Sequence, residues 1–350
     1  MDSKKEISNT FQESDIKISV LKLTALWAFS ESAFGGILHA LSIPFRGIFI
    51  NGASVLFISL IALLSDKSRE IIKSTIIVLL IKLVVSPHTP LTAYFAVTVQ
   101  GFLGYLLFTQ KKFYKLSAFI LGILTLFFSG IQKIIVLTLV FGNTLWKSVN
   151  VFIKQIAKEF FSVNIDQNIN YGYLLISLYI LIHILAGIFI GLYAGKLPLK
   201  LVRYKNEMPE SINFITNDAF PKSEKRKKKN WFLRPSGISI IILFLSLFIY
   251  SYISPHSLEI GSNEIIVMLI RSIVITFIWL VFAGPYIKKI LQKYLERKKS
   301  NYSEEINSII DLFPQFKNAV SFCWKNSSDK SGINRIRKFL STSFYFLLLK

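Results

Sequence analysis

The stretch GIFINGASVLFISLIALL, Gly47–Leu64, holds no charged residue, and a short polar turn separates it from IIKSTIIVLLIKLVV, Ile71–Val85. Neither stretch alternates apolar and polar residues as a half-buried strand would, and both are too long for an ordinary strand. Coiled at ~1.5 Å per residue, the first approaches the ~30 Å of a bilayer's hydrocarbon. Similar blocks recur along the chain. The spacing predicts spans at Ile18–Leu41, Gly47–Leu64, Ile71–Val85, Leu91–Phe108, Leu116–Phe141, Tyr173–Tyr193, Gly237–Ile253 and Ile265–Tyr286. The third is short, and Ser129, Gly130, Gln132 and Lys133 are expected to break the fifth.

Composition agrees with this reading. Of 350 residues, 52% are hydrophobic and 17% charged, and mean hydropathy is +0.51, more apolar surface than one soluble core of this size needs. The net charge of +21 comes from 41 Lys and Arg against 20 Asp and Glu. These cations crowd beside apolar blocks and accompany no groove-reading motif, so lipid headgroups and topology explain them and nucleic acid does not. The single cysteine, Cys323, excludes an intramolecular disulfide and a cysteine-cluster metal site. The polar N-terminus and the length of the first block do not fit a cleaved signal peptide, so the first helix is expected to be kept.

Orientation follows from the loops, because positive loops resist translocation. With the N-terminus inside, inner loops hold Lys67 and Arg69, then Lys111, Lys112 and Lys115, then Lys225–Lys229. Outer loops are nearly bare. The expected fold is all-α, a polytopic transmembrane bundle of about eight spans with both termini inside and amphipathic cytoplasmic helices at the C-terminus. Residues 1–195 form a six-helix membrane domain, 196–235 a basic cytoplasmic linker, and 236–350 two spans plus an amphipathic tail. An outer amphipathic segment within Asn143–Asn170, with Lys147, Lys154 and Lys158, is expected on the membrane surface. The run PKSEKRKKKN, Pro221–Asn230, reads as a topology anchor on anionic lipid or as a docking site for a soluble partner. The tail stretches Ile306–Trp324 and Ile333–Leu349 fit the inner leaflet or a soluble subunit equally well.

Thr24, Ala28, Ser32, Gly36 and Ala40 recur every fourth residue and share one stripe, suited to internal helix packing or to docking another subunit. Ionisable groups inside spans are costly and mark function or pairing. Glu31 and Lys82 are such groups at comparable depth, read either as a structural ion pair or as a ligand contact or gate. Gln100, Lys133, His183 and Arg271 are further candidates. Two outer corners, His39–Gly47 and Ser86–Leu91, join prolines to His, Arg, Ser and Thr donors. They suit the mouth of a pocket as well as they suit two tight turns. His39, Arg46, Ser86 and His88 would line that pocket, with Glu31 and Lys82 beneath. There is no phosphate-binding GxxxxGK[ST] loop, no HExxH and no GxSxG, so no catalytic residue, metal ligand or cofactor is expected and the chain does not read as an enzyme. Transport would draw its energy from an ion gradient or from an ATPase supplied by another chain.

Two segments, ALWAFSESAFGGILHALSIPFRG within Leu23–Ala62 and KSTIIVLLIKLVVSPHTPLTAYFAVTVQGFLGYLLF, Lys73–Phe108, resemble the membrane-embedded substrate-binding components of energy-coupling-factor uptake transporters. The resemblance covers roughly Leu21–Ala194 and is specific at the L-H-x-L-x-I-P-F-x-G corner, Leu38–Gly47, and at the Ser86–Leu91 corner. It implies six helices with both ends inside, capture of a vitamin-like solute from outside, and delivery by toppling in a bacterial cytoplasmic (inner) membrane. It also implies a transmembrane coupling subunit and two ABC ATPases as partners. The span count gives the same six helices up to Tyr193. An alanine-x-x-x-tryptophan pattern common on that family's first helix is absent, since Leu23 stands four before Trp27, although the small stripe takes the equivalent face. The two C-terminal spans and the tail lack the alanine-arginine-glycine motifs of a coupling subunit. The alternatives are a membrane scaffold that recruits a soluble partner through its basic loop and tail, and a membrane enzyme acting on lipid.

Overall fold

Leucine, isoleucine and phenylalanine blocks without proline give the backbone no competitor to its own i→i−4 hydrogen bonds, and every regular element among the described residues is a helix. The computed structural model describes residues 13–35, 45–65, 67–86, 89–161, 169–199 and 262–349. Helix α1, Glu13–Phe29, passes into a π-helical turn, Ser30–Phe34. Then come α2 (Arg46–Leu64), α3 (Arg69–Val85), α4 (Leu91–Leu107), α5 (Tyr114–Phe141), α6 (Thr144–Phe161) and α7 (Tyr171–Gly195). Helix α8, Ser262–Ile278, continues through a π turn, Trp279–Ala283, into α9, Gly284–Lys299. The chain ends in α10 (Ser303–Asn326) and α11 (Gly332–Leu349).

Four of these stretches are long and apolar enough to cross a membrane: α2, α5, α7 and the helical run Ile266–Leu312. Helix α4 is apolar but has 17 residues, and α1 and α3 also have 17 each, ~25 Å of helix against ~30 Å of hydrocarbon. Helix α5 runs unbroken through Ser129, Gly130, Gln132 and Lys133, where an interruption was expected. None of those residues removes a backbone donor, and in lipid the helix is the one local way to satisfy it. The expected seventh span, Gly237–Ile253, and the lysine run 225–229 lie outside the described residues.

The described residues divide into two units. One comprises 13–129, 183–199 and 291–349, the other 130–182 and 262–290. In the first, α1 packs against α2 and α3, and α3 against α4. Leu23, Trp27, Val55, Ile58, Ile71 and Ile81 form the centre of its core and are almost fully excluded from solvent. Helix α2 is the most enclosed of the apolar helices, whereas α7 exposes most of its length. In the tail, α10 and α11 pack on α1, and Ile306, Ile309 and Phe316 of α10 complete the core, while Ile333 and Ile336 of α11 stay exposed. Lys73 of α3 pairs with Glu305 at 2.8 Å. Helices α10 and α11 meet through Trp324, whose ring sits edge-on to Phe339 at 5.1 Å and beneath the Arg335 guanidinium at 4.3 Å.

Helices α5 and α7 cross on glycine. A Cβ at Gly122 would stand 2.5 Å from the Gly187 carbonyl, one at Gly187 would stand 2.7 Å from the Gly122 carbonyl, and one at Gly191 would stand 2.8 Å from Phe119 Cα. The two backbones therefore touch directly, as small-xxx-small motifs allow in lipid.

In the second unit, α6 is fastened at its N-terminal half. Trp146 Nε1 donates to Thr138 Oγ1 at 2.9 Å, and the Tyr171 amide donates to Asn150 Oδ1 at 2.8 Å. Its Val151 and Phe152 stay exposed.

Candidate functional site

A carboxylate at position 31 enters an apolar helix and requires compensation. The structure supplies it from two neighbours. Lys82 Nζ of α3 lies 2.7 Å from Glu31 Oε2, with both side chains at least 95% buried at 3% and 5% exposure. Ser54 Oγ of α2 donates to Glu31 Oε1 at 2.9 Å, and Trp27 Nε1 of α1 donates to Ser54 Oγ at 3.0 Å. The indole-to-hydroxyl relay and the ammonium thus converge on the two oxygens of a single carboxylate. The charges cancel and both carboxylate oxygens are used, the condition under which a buried pair is tolerated.

The layer widens into α4. Gln100 Nε2 donates to Asn51 Oδ1, and Asn51 precedes Ser54 by three residues on the same face of α2. Gly101, next to Gln100, lets α4 approach α3, since a Cβ there would overlap the Thr75 side chain. Lys82 is three residues from the end of α3 and Asn51 five from the start of α2. The layer therefore lies toward the Arg46 and Ser86 ends of these helices.

Buried polar atoms on the same helices still have bonding capacity. Gln100 Oε1 and the hydroxyls of Ser30, Ser32 and Tyr94 are buried and without a hydrogen-bond partner among the described residues. Ser30 and Ser32 flank Glu31 in the π turn, a distortion often found at functional sites. A buried polar atom left open costs free energy, which a bound polar molecule would recover.

Of the expected pocket residues, the structure brings Glu31 and Lys82 together. Arg46 is exposed at the first turn of α2, and Ser86 accepts a hydrogen bond from Thr89 Oγ1 at 2.8 Å. His39 and His88, with Gly36 and Ala40 of the small stripe, lie outside the described residues. Thr24, Ala28 and Ser32 are buried, and Thr24 Oγ1 donates to Ser74 Oγ of α3 at 2.8 Å. Phe45 holds a left-handed backbone, φ 55°, at the entry to α2, and its ring lies 6.1 Å from the buried His183. Left-handed backbone in an aromatic residue is a strained state that neighbouring contacts must hold. Trp27, Asn51 and Ser54 went unread in the sequence. The signal was present, since Asn51 and Ser54 are polar residues three apart inside an uncharged span. Among the described residues no group of three His, Cys, Asp or Glu side chains could hold a metal ion.

Comparison with protein-family models, with curated proteins and with solved structures finds no match to this chain.

Proposed function

We propose that this chain is the substrate-capture membrane subunit of an ATP-driven importer of a small, vitamin-like solute. In this reading the polar layer around Glu31 and Lys82 forms the floor of the solute site. The observation that carries it is that Gln100 Oε1 and the hydroxyls of Ser30, Ser32 and Tyr94, on the helices that hold the Glu31–Lys82 pair and its neighbours, are buried without a hydrogen-bond partner among the described residues. Intramembrane polar groups of this kind mark substrate paths. His39, Arg46, Ser86 and His88 form the outer rim. The six helices of residues 1–195 carry capture, the linker 196–235 faces the cytoplasm, and 236–350 adds two spans and the tail. With about eight spans and both termini inside, the chain sits in a bacterial cytoplasmic membrane. Lipids surround it, and a coupling subunit with ABC ATPases energises it.

The test is native mass spectrometry of detergent-solubilised protein purified with its partners. The reading expects a bound small molecule and ATPase subunits, with the small molecule lost in Gln100→Ala and Lys82→Met. Unchanged small-molecule occupancy in both variants would remove the site. Recovery with a soluble partner but without ATPases would favour a membrane scaffold.

A further inference from the structure

The second unit carries a cation the proposed capture site does not use. Arg271 lies nine residues into α8, ~14 Å along an apolar helix. Among the described residues it has no ion pair or hydrogen bond, and its side chain is exposed. The guanidinium rests against the C-terminal end of α5: a Cβ at Gly142, which takes φ +73°, would stand 2.9 Å from Arg271 Nη1. The partial negative charge of that helix end favours a cation there, and the guanidinium donors have no partner among the described residues. Beside this elbow runs an open groove of about 320 Å³, lined by Phe141, Ser272, Ile273, Thr276, Phe277 and Leu280. Its walls are mostly apolar, and Ser272 Oγ is already occupied by the Leu269 carbonyl at 2.8 Å.

An arginine unpaired among the described residues, on an apolar helix and next to an apolar groove, matches an amphiphile with an anionic head and a hydrocarbon tail. We propose that Arg271 and this groove bind one anionic phospholipid, the phosphate on the guanidinium and an acyl chain along Ile273, Phe277 and Leu280. Charge complementarity selects the occupant. The planar guanidinium meets two phosphate oxygens at once. Helix α6, which packs against α8, adds Lys147, Lys154 and Lys158 on one stripe, raising the local attraction for an anion.

Delipidated full-length protein, titrated with phosphatidylglycerol or phosphatidylcholine and read by native mass spectrometry, tests this. Wild type retains one phosphatidylglycerol in preference to phosphatidylcholine. Arg271→Gln lowers that preference by roughly tenfold, the loss of one charge-assisted contact, and Arg271→Lys, which keeps the charge but not the two-point contact, lowers it less. Ile273→Trp, which fills the groove, reduces retention of both lipids. Equal preference in wild type and Arg271→Gln, undiminished retention in Ile273→Trp, or displacement of the lipid by inorganic phosphate would each overturn the proposal. Elution of every variant at the wild-type position shows that the fold is intact; Arg271→Ala replaces Arg271→Gln and Leu280→Trp replaces Ile273→Trp where either fails this, with the same losses expected.

Discussion

Two parts of the first unit solve the same problem in opposite ways. Apolar side chains gain little by leaving lipid for one another, so membrane helices need another reason to stay together. Helices α1 to α4 are joined by a polar chain, Trp27 to Ser54 to Glu31 to Lys82, with Asn51 and Gln100 alongside. Helices α5 and α7 are joined by absence of side chains, at Gly122, Gly187 and Gly191. The first arrangement fixes which groups meet and leaves hydrogen-bonding capacity over. The second fixes only distance, and has no such capacity to offer a ligand.

The largest expected effect is at the glycine crossing. Gly187→Leu drives a side chain into the Gly122 carbonyl and should cost more than about 4 kcal/mol, in the range reserved for exceptional single substitutions. Loss of a monodisperse, detergent-stable protein is the readout. The sharpening control is Gly195→Ala, whose new methyl would find its nearest atoms at 3.5 Å, ordinary contact, and should be tolerated.

Next comes the ion pair. Lys82→Met leaves the Glu31 carboxylate buried without its counter-ion, and should cost about 3–5 kcal/mol in thermal or denaturant unfolding in detergent. Adding Glu31→Gln should recover most of it. If the double variant is no more stable than Lys82→Met, the two residues are not coupled and the polar joint is misassigned.

A smaller loss, about 1 kcal/mol, is expected from Trp27→Phe, which keeps an aromatic ring and removes the donor to Ser54. Smallest of all is Glu305→Gln. Its pair with Lys73 is 30–40% exposed, and such pairs contribute about 0–1 kcal/mol, less as salt rises.

Much of the first joint was legible in the sequence. Glu31 and Lys82 stand out because charge inside an apolar block must be compensated, and comparable depth made a pairing one of the open readings. Trp27 and Ser54 were not legible in the same way, since an indole and a hydroxyl are ordinary in any helix and their roles depend on rotation about the helix axis. The glycine joint has its own sequence signal, Gly187, Gly191 and Gly195 at spacing four, but that spacing does not name the partner helix. The π turn at Ser30–Phe34 has no sequence signature. The tail's destination was unreadable for a general reason: amphipathicity says that a face needs cover, not what covers it. Here α1 and the core do so.

A topology with the basic loops facing inward and the Arg46 corner facing outward is tested directly by one measurement. Cys323 is buried, and burial pushes its thiol above the ordinary range, so the wild type should react slowly with a maleimide and give a low background. In a Cys323→Ala background, Arg46→Cys should label with a membrane-impermeant maleimide on intact cells, and Lys227→Cys only after permeabilisation. Labelling of position 227 on intact cells, or recovery of the chain in solution without detergent, would contradict the account.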